Sequence, residues 1–361
     1  MECELRDDVL TAGSDAVEEL YDRGFYGRVK GGKLELSLIE GAYLLSRGKV
    51  EIFSDKKALD FKAFFEIASE RVKDFELGYI VFKDLRERGY YTKMSPIGFR
   101  IYPRGGHPGK TPAHIFIYVI SERAHLPLQR VISELNKAEN ARKRLILAIV
   151  DEESDITFYE LKKIIMSGGQ AEPDASGAGT PAAASLINDR TIVWEPAIAD
   201  FLHQNYFFGK KLDELRLQLS LVESGYLLSR KWIRIEHKNA AEFNEYAEGV
   251  EPGYALKYLV YSNLRDRGFV VKTGFKFGTH FRVYKKFKTD THSEYLVHTI
   301  ASAYTFALPE LSRAVRIANT VHKRMVFGYP DEGAGAETGG VGYGGVGYGG
   351  VGYVEIGWIR L

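Results

Sequence analysis

Apolar and polar positions along this chain alternate between two periods, and they run through the same course twice. In YLVYSNLRDRGFV, residues 258–270, Tyr258, Val260 (or Tyr261) and Leu264 share one face at helical spacing, and Gly268 supplies a stop. The strands VVKTGFKFG, FRVY and EYLVHTI follow, then the helix ALPELSRAVRIANTVHKR, then the strand MVFGY. Upstream lies a different block. It opens with Phe-Phe-Gly (Phe207–Gly209), alternates into an apolar helix that ends near Leu-Ser-Arg, and closes with a short strand and an amphipathic stretch.

Both blocks have an earlier counterpart. YIVFKDLRERGYY at 79–91 matches YLVYSNLRDRGFV at 258–270, LELSLIEGAYLLSRGKVEI at 34–52 matches LQLSLVESGYLLSRKWIRI at 217–235, and Phe25–Gly27 matches Phe207–Gly209. The offset of 179–183 residues is far longer than a solenoid repeat, so the chain reads as a duplicated pair of units. The fold class expected is α/β (α+β): in each copy a small α/β unit, then a mixed sheet backed by helices. The boundaries expected are 1–78 and 79–166 for the first copy, a linker at 167–185 rich in small residues and proline, and 186–253 and 254–361 for the second. A glycine-rich loop at 333–353, containing three GGVGY units, precedes a terminal strand in VEIGWIRL.

Composition adds limits. With 361 residues, 22 Tyr and 21 Phe, the chain can bury large cores. No window approaches about 18 uninterrupted apolar residues, and MECELRDDVL lacks the features of a signal peptide, so no membrane span and a cytoplasmic location are expected. Cys3 is the single cysteine, near a terminus expected to fray, and can form neither an internal disulfide nor a thiolate metal site. Net charge is +1, yet Tyr254 to Gly328 holds 13 Lys/Arg against four acids. A basic segment interleaved with aromatics is either a solvated face or the footprint of a polyanion.

Several chemistries fail on spacing. RGGHPGKT at 104–111 has Arg104 where a phosphate loop needs glycine, and Pro112 follows where its helix should start. His292 and His298 lack the acidic or thiol partners of a metal site, so neither a metal nor a cofactor is expected, and His298 reads as a packed strand residue. No nucleophile elbow exists, and Ser293 beside His292 would point to the opposite face of a strand. Tyr284, His292 and Lys323 remain, within the basic segment. Eight extended residues would hold Tyr284 and His292 more than about 25 Å apart, so KKFKTDT must fold back for them to meet, and Lys323 would come from the end of the following helix. Together they suit phosphodiester cleavage: one group removes the 2′-hydroxyl proton, one protonates the departing 5′-oxygen, and a cation stabilises the phosphorane. Histidine fits the acid role, and tyrosine as a base needs nearby positive charge. A chain this aromatic and basic offers many such trios.

These residues resemble the archaeal tRNA-splicing endonucleases, through YxVxxxLRxRGFVVKTGFKFGxxFRVY, the HSEYLV stretch and AVRIANTVHKRMVF, over most of residues 20–330 plus the last strand. The resemblance implies that the second unit of each copy is nuclease-like. It implies cuts at both strands of a bulge-helix-bulge in precursor tRNA, leaving 2′,3′-cyclic phosphate and 5′-hydroxyl ends without a metal, with Tyr284 as general base, His292 as general acid and Lys323 as transition-state cation. It also implies a clamp on a bulge nucleotide: Arg316 on one side and, from the terminal strand, Trp358 or Arg360 on the other, with Lys285 and Lys286 along the RNA. Many members carry arginine where Trp358 stands, and Trp358 could instead pack in a core. In the first copy Tyr102 and Lys143 match Tyr284 and Lys323, but Pro112 stands at the place of His292 and neither His107 nor His114 is in register. The resemblance therefore implies a silent first copy, a live second copy and a homodimer, in which the acidic run Asp151, Glu152, Glu153 and Asp155 docks into a basic groove of the partner chain. Two rivals remain: a non-catalytic RNA-binding subunit of such an enzyme, and a DNA nuclease, which would need more acidic metal ligands than this segment holds.

Overall fold

A computed structural model describes residues 1–170, 180–287, 291–331 and 350–361. The chain forms two compact units: Met1–Lys162 with Thr305–Leu311 and Trp358–Leu361, and Lys163–Tyr304 with Ser312–Gly357. Each is built mainly of one copy of the repeat, while Thr305–Leu311 and Trp358–Leu361 of the second copy fall in the first unit.

Within each copy two sheets share one core. In the first, the strands run in the order Arg28–Lys30, Lys33–Ser37, Val9–Ala12, Glu2–Arg6, Glu51–Ser54, Lys57–Leu59. The second copy repeats this more briefly, as Lys210–Lys211, Leu217–Ser220, Arg190–Val193, Ala182–Ile187, Ile233–Ile235. The helices Leu38–Ser46 and Leu221–Ser229 then pass to Phe61–Arg71 and Ala240–Val250. The next helix, Phe75–Glu87 or Tyr254–Asp266, covers a second sheet of Thr92–Ser95, Gly98–Ile101, Ile115–Ser121, Arg144–Val150 and Ile156–Lys163, or of Val270–Thr273, Phe281–Tyr284, Tyr295–Thr299, Arg324–Pro330 and Val351–Ile359. Phe64, Phe82 and Phe99 close one core, and Phe243, Tyr261 and Phe281 the other. Burial of such side chains stabilises each copy by about 1.5–3 kcal/mol apiece.

The recurring glycine of Phe-Tyr-Gly and Phe-Phe-Gly has a steric cause. Gly27 and Gly209 take φ of +63° and +58°, and a Cβ there would lie 2.3 Å from a backbone carbonyl oxygen. The freed amide is used: Gly27 N–H donates to Glu40 and Gly209 N–H to Glu223, each at 2.8 Å, while the same carboxylates close capping boxes with Ser37 and Ser220. Lys93 then donates to the Gly27 carbonyl, and Lys272 to that of Gly209 at 2.9 Å, which ties the nuclease-like sheet to the smaller one.

Several boundaries differ from the sequence reading. Helix Phe75–Glu87 straddles residue 78, because Phe75 is already needed in the core. Met166 is buried, and Gly168 to Gln170 bond to Arg267, Lys285 and Gly268, so the expected linker is ordered at its start; strand Ala182–Ile187 takes its end, and residues 171–179 lie outside the described residues. The terminal strand begins at Val351, because Pro330 pairs with Val351 and Asp331 N–H donates to the Gly350 carbonyl at 3.0 Å. The rest of the glycine-rich loop, 333–349, lies outside the described residues. Cys3 is no frayed terminal thiol: strand Glu2–Arg6 is central in its sheet, and burial pushes the thiol pKa up to about 11. Among the described residues no helix is long and apolar enough to cross a membrane.

Candidate active site

The hairpin that carries Tyr284 folds back as the spacing requires. Strand Phe281–Tyr284 pairs antiparallel with Tyr295–Thr299, Val283 opposite Tyr295. The ladder continues one step, since Glu294 N–H donates to the Val283 carbonyl at 3.1 Å, and the Glu294 carboxylate accepts from Lys285 N–H at 3.0 Å. Tyr284 and His292 thus lie toward the same end of one hairpin; residues 288–290 between them are outside the described residues. His292 is exposed and lies ahead of the strand, so the alternation expected to part it from Ser293 does not apply.

Lys323 is not on the helix. Helix Leu308–Thr320 ends earlier, where His322 adopts φ +53° and Lys323 N–H bonds the Ala318 carbonyl at 2.8 Å. The next strand starts at Arg324, parallel to Tyr295–Thr299, with Arg324 N–H on the Glu294 carbonyl at 3.0 Å. This turn aims the lysine at the hairpin. Its Nζ donates to the Ser293 carbonyl at 3.1 Å, one residue from His292. Desolvation, then the Arg282 guanidinium, hold the Lys323 pKa below that of an ordinary lysine, while Glu294 opposes them.

Tyr284 is buried, with 5% of its surface exposed. Its ring meets the edge of Phe287 at 5.0 Å between centroids, and Phe287 packs on Phe207 at 4.6 Å. Phe207 caps helix Pro196–Tyr206 at φ +60°, a left-handed conformation costly for a bulky residue. The left-handed cap of the smaller unit thus packs on Phe287, which follows Tyr284. Sequence reasoning missed Phe207, Phe287, Arg282 and Glu294; the paired Phe-Tyr-Gly and Phe-Phe-Gly turns were the available signal.

The first copy repeats the backbone bonds of this wiring and its lysine–carbonyl bond, but not the Glu294 carboxylate contact, since Pro103 has no N–H to donate. His114 N–H donates to Ile101 and Arg144 N–H to His114, both at 3.0 Å, and Lys143 Nζ to the Ala113 carbonyl at 2.8 Å. His114 therefore occupies the place of Glu294, Ala113 that of Ser293 and Pro112 that of His292. His107 packs its ring on Phe25 at 5.0 Å. Tyr102, Lys143, Arg100, Lys110 and Pro112 line a cavity of about 360 Å³ with no imidazole in its wall.

The other candidate residues distribute as follows. Arg316 is exposed on its helix, as are Lys285 and Lys286 in the turn after Tyr284. Trp358 is 42% exposed, with the Arg360 guanidinium 5.4 Å from its ring centroid, so it is not sealed in a core. The acids occupy the turn between strands Arg144–Val150 and Ile156–Lys163. Asp151 Oδ1 accepts the amides of Glu153 and Asp155 at 3.0 and 2.9 Å, and Glu152 pairs with Arg123 at 2.5 Å. His298 stacks on His280 at 4.1 Å, and burial holds both pKa values down, that of His280 to about 3. Among the described residues no group of three or more His, Cys, Asp or Glu is placed to hold a metal.

Comparison with known proteins accounts for both copies. The family model for "tRNA intron endonuclease, catalytic C-terminal domain" matches residues 75–158 and 254–336, and that for "tRNA intron endonuclease, N-terminal domain" matches 1–65 and 182–247. The tRNA-splicing endonuclease of Methanosarcina mazei is 50% identical over 335 residues, covering 91% of this chain and 94% of its own length. That of Methanosarcina acetivorans is 49% identical over 92% of this chain and 96% of its own, and that of Haloferax volcanii 33% over the same shares. With each domain matched twice and such relatives along most of its length, the chain belongs to the tRNA intron endonuclease family.

Proposed function

We propose that this protein is a metal-independent endonuclease that cuts precursor tRNA at bulge-helix-bulge sites and leaves 2′,3′-cyclic phosphate and 5′-hydroxyl ends. The single observation that carries the reading is the bond from Lys323 Nζ to the Ser293 carbonyl, next to His292, at the end of the hairpin that bears Tyr284. Tyr284 takes the 2′-hydroxyl proton, the 2′-oxygen attacks phosphorus, and His292 protonates the departing 5′-oxygen as the P–O5′ bond breaks. Lys323 stabilises the negative charge that grows on the phosphorane oxygens. The residues themselves balance the proton, one taken and one given.

In this reading the first copy is silent, since proline at 112 cannot donate a proton. Two chains form a homodimer with two live sites, one for each cut. Arg316 holds a bulge nucleotide against Trp358 or Arg360, and Lys285 and Lys286 follow the phosphates. The acidic turn at Asp151–Asp155 docks on the partner chain, where opposite potentials set the register. The test is incubation of the pure protein with a bulge-helix-bulge RNA in EDTA. The expected result is two cuts with cyclic phosphate ends, and a rate lowered about 10²- to 10⁴-fold in His292→Ala. RNA retained on a gel but never cut would overturn the proposal in favour of a non-catalytic RNA-binding subunit.

A further inference from the structure

The two copies differ in one hairpin beside the site. In the first, strands Thr92–Ser95 and Gly98–Ile101 close from Ser95 to Gly98 across Pro96 and Ile97, and Ile97 is 7% exposed. In the second, Val270–Thr273 and Phe281–Tyr284 pair in the corresponding register up to Thr273 and Phe281. Gly274 N–H bonds the His280 carbonyl at 2.9 Å, and five residues, Phe275 to Thr279, fill the turn. The second copy's hairpin is three residues longer.

This added turn is built to hold one shape. Phe275–Phe277 is a 3₁₀ turn, Phe277 N–H donates to the Gly274 carbonyl at 2.8 Å and Gly278 N–H to that of Phe275 at 3.1 Å, and Gly278 takes φ +67° to reverse the chain. Such a turn would ordinarily tuck its large apolar residue away, as Ile97 is tucked in the first copy. Instead Phe275 is 85% exposed, the exposed Lys276 beside it, while Phe277 lies under Lys323, whose Nζ is 5.9 Å from its ring centroid. A rigid phenyl is thus presented to solvent on the same short turn that borders the proposed transition-state cation.

We propose that Phe275 is a stacking platform for an unpaired nucleobase of the RNA next to the cut phosphodiester. The inference rests on the nuclease reading above and adds a recognition element to it. The surroundings fit a nucleic acid: Lys276, Lys323 and Arg282 supply positive charge for phosphates, and a phenyl face accepts any base that is not already stacked in a duplex. Stacking of this kind selects a bulge by its lack of pairing and is indifferent to its sequence. It would also explain why only the copy with a histidine at the place of His292 carries the longer turn.

The experiment uses a bulge-helix-bulge RNA with 2′-deoxyribose at both cut positions, which removes the attacking hydroxyl, and 2-aminopurine placed in turn at each bulge position. Stacking on Phe275 quenches one of these probes on binding. Phe275→Ala is expected to lose that quench and to bind roughly tenfold more weakly; Phe275→Trp restores both, and Phe275→Leu, apolar but without a ring face, restores neither. On cleavable RNA the alanine variant raises KM and leaves kcat little changed. An alanine variant that quenches and binds as the wild type does overturns the proposal. So does one that binds RNA normally per dimer but sediments as a lighter species, since the phenyl would then be a protein contact. A wild type that fails to cut the cleavable RNA sinks the nuclease reading instead, and the quench on the deoxy RNA still decides the stacking.

Discussion

Lys323 shows how one side chain's charge is set by its neighbours. Desolvation is the largest cause of its lowered pKa, Arg282 adds to it, and Glu294 works against it. Removing the guanidinium in Arg282→Gln takes away a lowering influence, so the lysine pKa rises; Glu294→Gln takes away a raising one, so it falls further. In the proposed role of a cation, the lysine contributes below its own pKa, and its contribution fades as pH climbs through it. Heteronuclear NMR of the lysine side chains in the two variants should show the Lys323 midpoint moving in opposite directions. Movement in one common direction, or none, would remove these two groups from the account. Lys323→Ala should slow cutting on the order of 10²- to 10³-fold, an effect typical of losing one transition-state donor, and single-turnover rates measure it. The sequence alone offers many such trios, and the family resemblance is what singled out Tyr284, His292 and Lys323; the structure adds that Lys323 reaches the carbonyl next to His292. The aromatic support was not legible in the sequence: Phe207 reaches Phe287 only through the packing of the smaller unit on the hairpin, a contact that no local pattern encodes.

At the scale of elements, hydrophobic period gave the kinds of structure correctly and misplaced their ends. AVRIANTVHKR keeps a helical rhythm past Thr320, yet the left-handed turn at His322 stops the helix and frees Lys323. VVKTGFKFG looks like one long strand, but Gly274 and Gly278 convert its second half into the 3₁₀ turn that carries Phe275. The junction inside each copy was likewise invisible, because Glu40 and Glu223 read as ordinary helix-start residues in capping boxes. Each carboxylate in fact also receives the amide of a left-handed glycine, so its loss strands several part-buried donors at once. Glu223→Ala is therefore expected to cost about 2–4 kcal/mol, more than a simple cap, measured as a lowered urea midpoint at unchanged slope. Glu40→Ala should cost a similar amount. A loss under about 1 kcal/mol in either would mean that solvent satisfies those amides and that the carboxylate is only a cap.

For the whole molecule, the proposal of one live copy per chain and two cuts requires two chains to act together, and the acidic turn is where it can be tested. Its four acids are not equivalent. Asp151 spends its carboxylate on the amides of Glu153 and Asp155, and Glu152 is engaged by Arg123 of the same copy. Reversing either would disturb the turn itself and confuse folding with docking. Glu153 and Asp155 are exposed, and the ion pairs among the described residues include neither, so they are the acids left to meet a partner. Glu153→Lys with Asp155→Lys should leave the melting temperature of the chain nearly unchanged, shift sedimentation from dimer toward monomer, and reduce cutting at least about tenfold, since like charges across an interface cost several kcal/mol. Mixing supplies the decisive arm. A chain with the reversed acids but intact His292 is combined with a chain that has intact acids but His292→Ala. If the acids act across the dimer, the mixed pair contains one engaged live site and recovers one cut of the two; if they act within their own chain, mixing recovers nothing. A doubly reversed variant that remains dimeric and fully active would leave the acidic turn as a solvated loop, and the pairing of chains would need another surface.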